Sequence, residues 1–263
     1  MTEDIKTLLK KIEHKDIFEQ YPLYFIGGTA LSTYLDHRIS YDVDIICTIK
    51  LPVSAINAFA FSIEGMPVID SAKASVFRIN KGVALEFYHL KYMVDGIKIE
   101  FSYFDDSIIG VILEQSTSQG YSEGSKLKKL SLDDIIKLKA VALFSRQKSR
   151  DLFDMAILLE RKLVSIEDLD RIYSFKKHRD KTLLEYIHGF NPLEDDEDSS
   201  LDFLPHHKYY KDFSKLTQDE RFEKCKEMLL CQCDVKLKEK LEKKHKEVKS
   251  SARKKINIKN SFR

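Results

Sequence analysis

The sequence has few cysteines and no apolar stretch long enough to cross a membrane. A spanning helix needs about 20 consecutive apolar residues, and the N-terminus lacks the pattern of a secretory signal. The four cysteines are too unevenly spaced for a disulfide framework: Cys47, Cys225, Cys231 and Cys233. We therefore expect a disulfide-free globular protein of the reducing cytoplasm, with no membrane partner.

The net charge of +2 conceals an uneven distribution. Residues 235–263 contain 12 Lys and Arg against 3 Asp and Glu, so they carry +9 and residues 1–234 carry −7. Apolar residues recur at helical spacing over residues 218–256 and predict a lysine-rich helix. Three interpretations of this helix stay open: docking on the body of the protein, contact with an RNA backbone, or a membrane-surface or partner-binding role.

A glycine pair, Gly27 and Gly28, follows a hydrophobic segment that is typical of a strand. Glycine lacks a Cβ, so the backbone there can approach a ligand closely. Residues 29–35 predict a short helix, whose free N–H groups and dipole would point at an anion. The stretch predicts a phosphate-binding turn.

Two aspartates follow after a polar loop. Asp42 and Asp44 occupy alternate positions of the predicted strand DVDII, so both side chains are expected on one face. Two such carboxylates repel each other unless a cation lies between them. Mg²⁺ accepts hard oxygen ligands of this kind together with substrate phosphates. The pair predicts a metal site near the glycine turn.

The order GG, helix, R-x-S-x-D-x-D resembles the active-site signature of the nucleotidyltransferase superfamily, which has the DNA polymerase β-like fold. Within it, GGTAL followed by HRISYDVDI is most similar to the AbiEii/AbiGii-type toxin branch. Residues 139–154 resemble the K-x-x-A-L…K-x-R-D-x-x-D helix pair of the same family. The resemblance covers roughly the first 160 residues.

The resemblance implies transfer of NMP from an NTP to an acceptor hydroxyl by a two-metal mechanism, with two Mg²⁺ or Mn²⁺ ions held by Asp42 and Asp44. Gly27, Gly28 and Thr29 would hold the triphosphate. Relatives in this branch act as toxins of toxin–antitoxin or phage-defence systems, and some modify tRNA ends. The expected partners are therefore an RNA or protein acceptor and an antitoxin, with RNA held by the basic C-terminal helix. A nucleotide- or RNA-binding regulatory module without turnover is the alternative.

A third carboxylate is usual in this superfamily, on a strand beside the aspartate pair. Glu100 is the first candidate, because it alternates with apolar residues as Asp44 does. Glu86, on a predicted preceding strand, is the second. We expect one of them to complete the metal site and to assist deprotonation of the acceptor.

Lys139 lies within the apolar stripe of a predicted helix that begins after Ser131. Burial of an unpaired ammonium costs several kcal/mol, so Lys139 is expected to meet an anion. The resemblance supplies the nucleotide phosphates; the alternative is a lysine that reaches solvent at the helix edge.

Five further residues are expected around the nucleotide. Arg38 would either offset phosphate charge or anchor the loop that positions Ser40 and Asp42, and both possibilities stay open. The resemblance implies that Arg150, Asp151 and Asp154 form a polar cluster facing the cleft, with a positioning role.

These features predict an α+β fold, with a mixed-sheet nucleotidyltransferase domain at residues 1–120. A mostly helical region at residues 121–263 would complete the nucleotide cleft and end in the basic helix. Residues 105–125 are expected to be a linker with some helix, and residues 194–198 an exposed acidic loop. Helices are predicted over residues 3–20, 53–61, 108–113 and 181–188 and after Ser131, Ser149 and Ser165; strands are predicted over residues 75–79, 83–92 and 97–104, the last two joined by Asp95-Gly96.

Overall fold

A computed structural model describes residues 1–146, 148–176, 181–191 and 201–235. These residues form one mixed sheet surrounded by helices, which confirms the predicted α+β fold class. The sheet has the strand order β3-β4-β5-β2-β1-β7-β6. Its strands are β1 (Leu23–Ile26), β2 (Asp42–Cys47), β3 (Met66–Pro67), β4 (His89–Val94), β5 (Ile97–Ser102), β6 (Ser118–Gly120) and β7 (Lys128–Leu130).

Helices occur between the strands and after them. The described helices are α1 (Glu3–Ile12), α2 (Ile17–Gln20), α3 (Gly27–Leu35), α4 (Val53–Ser62), α5 (Ser71–Lys81), α6 (Ser107–Glu114), α7 (Leu132–Ser145), α8 (Ser149–Glu160), α9 (Ile166–Lys176), α10 (Leu183–His188) and α11 (Tyr210–Phe213). Residues 218–235 are also helical. In the described ranges, no helix is long and apolar enough to pass through a bilayer.

The central strand β2 lies between β1, which is antiparallel to it, and β5, which is parallel. Val43 and Ile45 are buried in the core on one face of β2. Asp42 and Asp44 point to the opposite face, as the alternation predicted. The packing of Val43 and Ile45 in the core therefore fixes the position of the strand, and its polar side chains face away from the core.

One predicted strand is wrong, and another is only partly correct. Residues 75–79 lie in the helix α5, although Val76 and Ile79 favour a strand, because Asp70 caps the N-terminus by accepting from the Lys73 backbone N–H. Gly82, with φ +70°, ends that helix. Residues 83–92 contain a 3₁₀ turn, Leu85–Phe87, and only then the strand β4.

Other boundaries differ less from the prediction. The single helix predicted over residues 3–20 is divided into α1 and α2. The Asp95-Gly96 hairpin is confirmed, with φ values of +51° and +78° at the two turn residues. The predicted linker contains α6 and also β6, which pairs with β7. The sheet thus has strands on both sides of residue 120, and the division into two domains stays a prediction.

The later helices have clear start signals. Ser131 and Ser165 accept hydrogen bonds from the backbone N–H groups of Asp134 and Asp168, as expected. Ser149, in contrast, does not cap α8, because Lys148 occupies the cap position and Ser149 is already helical. The helix over residues 218–235 buries Phe222, Cys225, Leu229 and Cys233 against the body. Its predicted continuation to residue 256 and the acidic run 194–198 lie outside the described residues.

Candidate active site

A cavity of about 440 Å³ opens between the polar face of the sheet and the helices α6 and α7. This volume lies in the range of sites that bind small molecules. One side of the cavity is apolar, with Ile26, Ile46, Ile109, Ile135, Leu138 and Ala142 in its lining. The other side carries charged groups that come from several different strands and helices.

Three carboxylates project into this cavity from neighbouring strands: Asp42 and Asp44 from β2, and Glu100 from β5. In the parallel register, Asp44 lies directly opposite Glu100. Burial, and then the negative charges of Glu100 and Asp42, raise the pKa of Asp44 to about 6. Three acids this close are unfavourable together unless a cation accompanies them.

Glu86 is not part of this group. It lies in the 3₁₀ turn Leu85–Phe87 rather than on a strand, its side chain is exposed, and it does not line the cavity. The predicted strand over residues 83–92 does not begin until after Glu86. Of the two candidate glutamates, Glu100 is the one that lies beside the aspartate pair.

Two lysines accompany the carboxylates and had been given no role from the sequence. The Lys98 Nζ lies 3.2 Å from Asp42 Oδ2 and 3.3 Å from Glu100 Oε1. The Lys91 Nζ lies 3.2 Å from Glu100 Oε1. Burial alone would raise the pKa of Glu100, but the charges of Lys98 and Lys91 lower it. The strand alternation that selected Glu100 also places Lys98 on the same face, and that was the available signal.

The glycine turn packs directly against the charged groups. Gly27 has φ +81°, and a Cβ built on it would lie 1.9 Å from Asp44 Oδ2. A Cβ on Gly28 would lie 2.6 Å from an Arg38 guanidinium nitrogen and 3.0 Å from Ser40 Oγ. Both glycines line the cavity at the N-terminus of α3. The helix therefore begins at Gly27 and not at Thr29 after a separate turn, and neither glycine has room for a Cβ.

Thr29 does not line the cavity, in contrast to the prediction. Its side chain is fully buried, and its hydroxyl donates a hydrogen bond to the backbone carbonyl of Asp42. The physical reason is that Thr29 lies on the side of α3 that packs on β2. Thr29 thus connects the helix to the strand that carries the carboxylates.

The contacts of Arg38 support the second of its two predicted roles, which is to anchor the loop that positions Ser40 and Asp42. Its guanidinium donates to both carboxylate oxygens of Asp154, from Nε at 2.6 Å and from NH2 at 3.0 Å. Its remaining NH1 donates to the Ile39 carbonyl at 3.0 Å. Arg38 reaches the cavity wall beside Ser40, which also lines the cavity. A bidentate pair of this kind holds the loop before β2 in a defined position.

Lys139 meets an anion, as its position in the apolar stripe required, but the anion belongs to the protein. Its Nζ lies 2.8 Å from Asp154 Oδ2 and 3.4 Å from Asp151 Oδ1. The ammonium is almost completely buried and still borders the cavity. The phosphate contact implied by the resemblance stays a prediction.

Asp151 and Asp154 do not face the cleft, which corrects the predicted polar cluster. Both carboxylates are buried one layer below it, because they pair with cations that line it. Burial alone would raise the pKa of each. The charges of Arg146 and Lys139 instead lower the pKa of Asp151 to about 2, and those of Arg38 and Lys139 hold the pKa of Asp154 well below its ordinary value. Of the three predicted residues, only Arg150 lines the cavity.

Sequence reasoning missed two members of this network. Arg146 lines the cavity and donates to Asp151 from Nε at 2.7 Å and from NH2 at 3.2 Å. His37 is buried, with Nε2 2.8 Å from Asp154 Oδ1, and its ring stacks on Phe153. Among the described residues, its Nδ1 is the one buried side-chain nitrogen or oxygen atom without a hydrogen-bond partner. Neither residue has a sequence pattern that identifies it.

The carboxylate group suits a divalent cation in its chemistry. Asp42, Asp44 and Glu100 offer hard oxygen donors, and their mutual repulsion would be relieved by Mg²⁺ or Mn²⁺. Within the described part of the chain, no three His, Cys, Asp or Glu side chains are already arranged around one metal position. The ammonium of Lys98 instead contacts Asp42 and Glu100.

Transfer of a phosphate-bearing group is the chemistry that such a cleft suits, because hard oxygen ligands, open backbone and cations meet at one cavity. The chain belongs to the AbiEii family of nucleotidyltransferases. The family model, described as "Nucleotidyl transferase AbiEii toxin, Type IV TA system", matches residues 9–227. The resemblance is thereby confirmed, and it extends beyond the first 160 residues.

Solved structures with a similar chain include the crystal structure of JHP933 from Helicobacter pylori. It is 18% identical, with a TM-score of 0.47 over 95% of this chain and 98% of that one. A crystal structure described as that of a candidate nucleotidyltransferase, also from H. pylori, is 18% identical with a TM-score of 0.47, over 92% and 98% of the two chains. No curated protein matches the chain.

The first prediction concerns the contact between Gly27 and Asp44. Gly27→Ala should lower the free energy of unfolding by roughly 1–3 kcal/mol more than Gly82→Ala, measured by urea denaturation. Both glycines have positive φ, but a Cβ on Gly82 would have no atom within 4 Å. Equal losses in the two variants would show that the close approach to Asp44 does not matter.

The second prediction concerns the raised pKa of Asp44. Between its ordinary value near 4 and about 6, the folded state binds a proton that the unfolded chain has lost. The free energy of unfolding therefore falls as the pH rises through this window. In EDTA, Asp44→Asn should be more stable than the wild type by roughly 1–3 kcal/mol at pH 8, with no difference below pH 4.

Asp151→Asn supplies a control of opposite sign. In the wild type, the pKa of Asp151 is about 2 in the folded state and near 4 in the unfolded chain, so the ionised carboxylate stabilises the protein above pH 4. This stability is lost as the pH falls towards 2. This variant should be less stable than the wild type at pH 8. Urea denaturation across the pH range measures both, and an Asp44→Asn variant less stable than the wild type at pH 8 would contradict the assignment.

Proposed function

We propose that this chain transfers a nucleotidyl group from an NTP to an acceptor hydroxyl, with Mg²⁺ or Mn²⁺ as cofactor. The observation that supports it best is the register of β2 and β5, which brings Asp42, Asp44 and Glu100 to one cavity beside the glycine turn. In the reaction, the acceptor oxygen attacks the α-phosphorus and pyrophosphate leaves. This reaction needs cations at the phosphates and a group that accepts the hydroxyl proton.

The triphosphate would lie along the charged side of the cavity. Gly27 and Gly28 present backbone at the N-terminus of α3, where N–H groups and the helix dipole favour an anion. Lys139, Arg146 and Arg150 would offset the negative charge of the phosphates. Because Lys139 and Arg146 are already paired with Asp151, they are oriented before the substrate binds, and little reorganisation is needed.

A divalent cation would be held by Asp42, Asp44 and Glu100. When bound, it would make the acceptor hydroxyl more acidic and stabilise the negative charge of the departing pyrophosphate. Glu100 is the residue we assign to proton removal from the acceptor, because its carboxylate borders the cavity from the strand beside the aspartate pair.

The nucleobase would lie on the apolar side, against Ile109 and Ile135 and the neighbouring residues of α6 and α7. Phe104 lines the cavity and is 46% exposed, so a base could stack on its ring. Ser145 and Asp106 are polar groups on this wall that could contact the edge of the base.

The proposed acceptor is RNA or a protein. The net charge of +9 on residues 235–263 favours contact with an RNA backbone. The family description adds a role as the toxin of a type IV toxin–antitoxin system, and hence an antitoxin partner. A module that binds nucleotide or RNA without turnover is the competing proposal, and it requires no particular role for the three carboxylates.

The decisive experiment incubates the protein with each labelled NTP, Mg²⁺ or Mn²⁺, and total RNA or protein extract. Asp44→Asn and Glu100→Gln should each lower the rate of label transfer at least about 100-fold. Glu86→Gln is the matched control, since Glu86 is an exposed glutamate outside the cavity, and it should retain the wild-type rate.

Two outcomes would contradict the proposal. One is a folded Asp44→Asn variant with wild-type transfer, and the other is equal loss in Glu100→Gln and Glu86→Gln. Nucleotide binding without any transfer to RNA or protein would favour the regulatory module instead. Circular dichroism spectra of all variants establish that a lost activity is not a lost fold.

A further inference from the structure

One ammonium group lies where the carboxylates of the proposed metal site converge. Lys98 Nζ contacts Asp42 at 3.2 Å and Glu100 at 3.3 Å, and its side chain is 15% exposed. The parallel register sets Lys98 opposite Asp42, one alternate position before Glu100. A single lysine thus bridges the acids of two strands.

Lys98 contacts acids of both strands, and this distinguishes it from the other cations near the acids. Lys91 contacts Glu100 alone, and its side chain is twice as exposed, at 29%. Arg150 lies farther away, with NH1 3.9 Å from Asp42 Oδ2. Lys98 is therefore the cation most closely associated with the carboxylate pair that would share a metal.

An ammonium and a divalent cation compete for these oxygens. Mg²⁺ binds oxygen ligands at 2.0–2.1 Å and requires a near-octahedral arrangement. A second positive group within about 3 Å of the same oxygens would repel the ion strongly and occupy its coordination positions. The ammonium already occupies Asp42 Oδ2 and Glu100 Oε1, so a divalent cation that binds through these two oxygens has to displace it.

We propose that Lys98 is the resident counter-ion of the carboxylate centre, and that a divalent cation binds by displacing its ammonium. This inference rests on the proposed function, because it requires the centre to bind a divalent cation. Lys98 offsets part of the negative charge of Asp42 and Glu100 in the metal-free protein and makes metal binding weaker than three carboxylates alone would give. Metal affinity is thereby set by a residue that is not itself a ligand.

The test measures the binding of Mg²⁺ or Mn²⁺ alone by isothermal titration calorimetry. Lys98→Met keeps the length of the side chain and removes its charge, so the metal should bind at least about ten-fold more tightly. Lys98→Arg keeps the charge and should bind as the wild type does. Lys91→Met is the matched control, and its effect should be clearly smaller than that of Lys98→Met.

A second measurement uses the wild-type protein and does not depend on a variant that folds. Acylation of lysines by an activated ester, followed by peptide mass spectrometry, should modify Lys98 several-fold faster with Mg²⁺ than with EDTA. Lys137 is the internal reference, because its side chain is 48% exposed and pairs with Asp134 instead. Unchanged acylation of Lys98 would overturn the inference.

The calorimetry separates this inference from the proposed function. Metal binding that Asp44→Asn abolishes but Lys98→Met leaves unchanged or weakens would overturn only the role of Lys98. No divalent binding by the wild type or by Lys98→Met, or binding unaffected by Asp44→Asn, would overturn both the role of Lys98 and the proposed metal site.

Discussion

The buried carboxylate of Asp154 is the interaction on which the rest of the site depends. It accepts hydrogen bonds from Arg38 and pairs with Lys139 and His37, so it joins the loop before β2, the helix α7 and its own helix α8. A buried carboxylate is costly alone, and removal of one partner from a buried pair typically costs 3–5 kcal/mol. Asp154 is tolerated because three partners satisfy it, and each partner is in turn held in place.

The site consists of charge layers that alternate in sign. Asp42, Asp44 and Glu100 face the cavity, and Lys139 and Arg146 border it. Asp151 and Asp154 lie behind these cations. The ion pairs with the buried acids hold the side chains of these cations in place. A phosphate entering the cavity would therefore meet positive groups already in position, and this is the form of electrostatic stabilisation that catalysis uses most effectively.

Short-range sequence patterns correctly predicted strand faces and one hairpin. The alternation in DVDII placed Asp42 and Asp44 on one face, the same alternation selected Glu100, and Asp95-Gly96 gave the hairpin. Residues 75–79 were misassigned because Val76 and Ile79 favour a strand, and the cap that Asp70 provides for the helix was not recognised. The short strands β6 and β7 contain polar residues, and their pairing comes from the sheet rather than from their own sequence.

The partners of charged residues were the harder part to predict. The helical spacing of Asp151 and Asp154 puts both on one side of α8, but it does not say whether that side meets solvent, a ligand or a cation of the protein. Lys139 illustrates the same limit: its place in an apolar stripe required an anion, and only the packing of α7 on α8 supplied Asp154 as that anion. His37 and Arg146 gain their roles entirely through this packing.

Two direct contacts hold the glycine pair in a fixed position relative to the aspartate pair. Gly27 has no room for a Cβ because Asp44 lies against it, and Thr29 donates its hydroxyl to the Asp42 carbonyl. The distance from the glycine backbone to the carboxylates is thus set by direct contact of α3 with β2, and not by the intervening loop. Arg38 fixes that loop separately, through Asp154. A change in loop sequence that preserves Arg38 would therefore leave the relation between turn and carboxylates intact, whereas a methyl group at Gly27 would not.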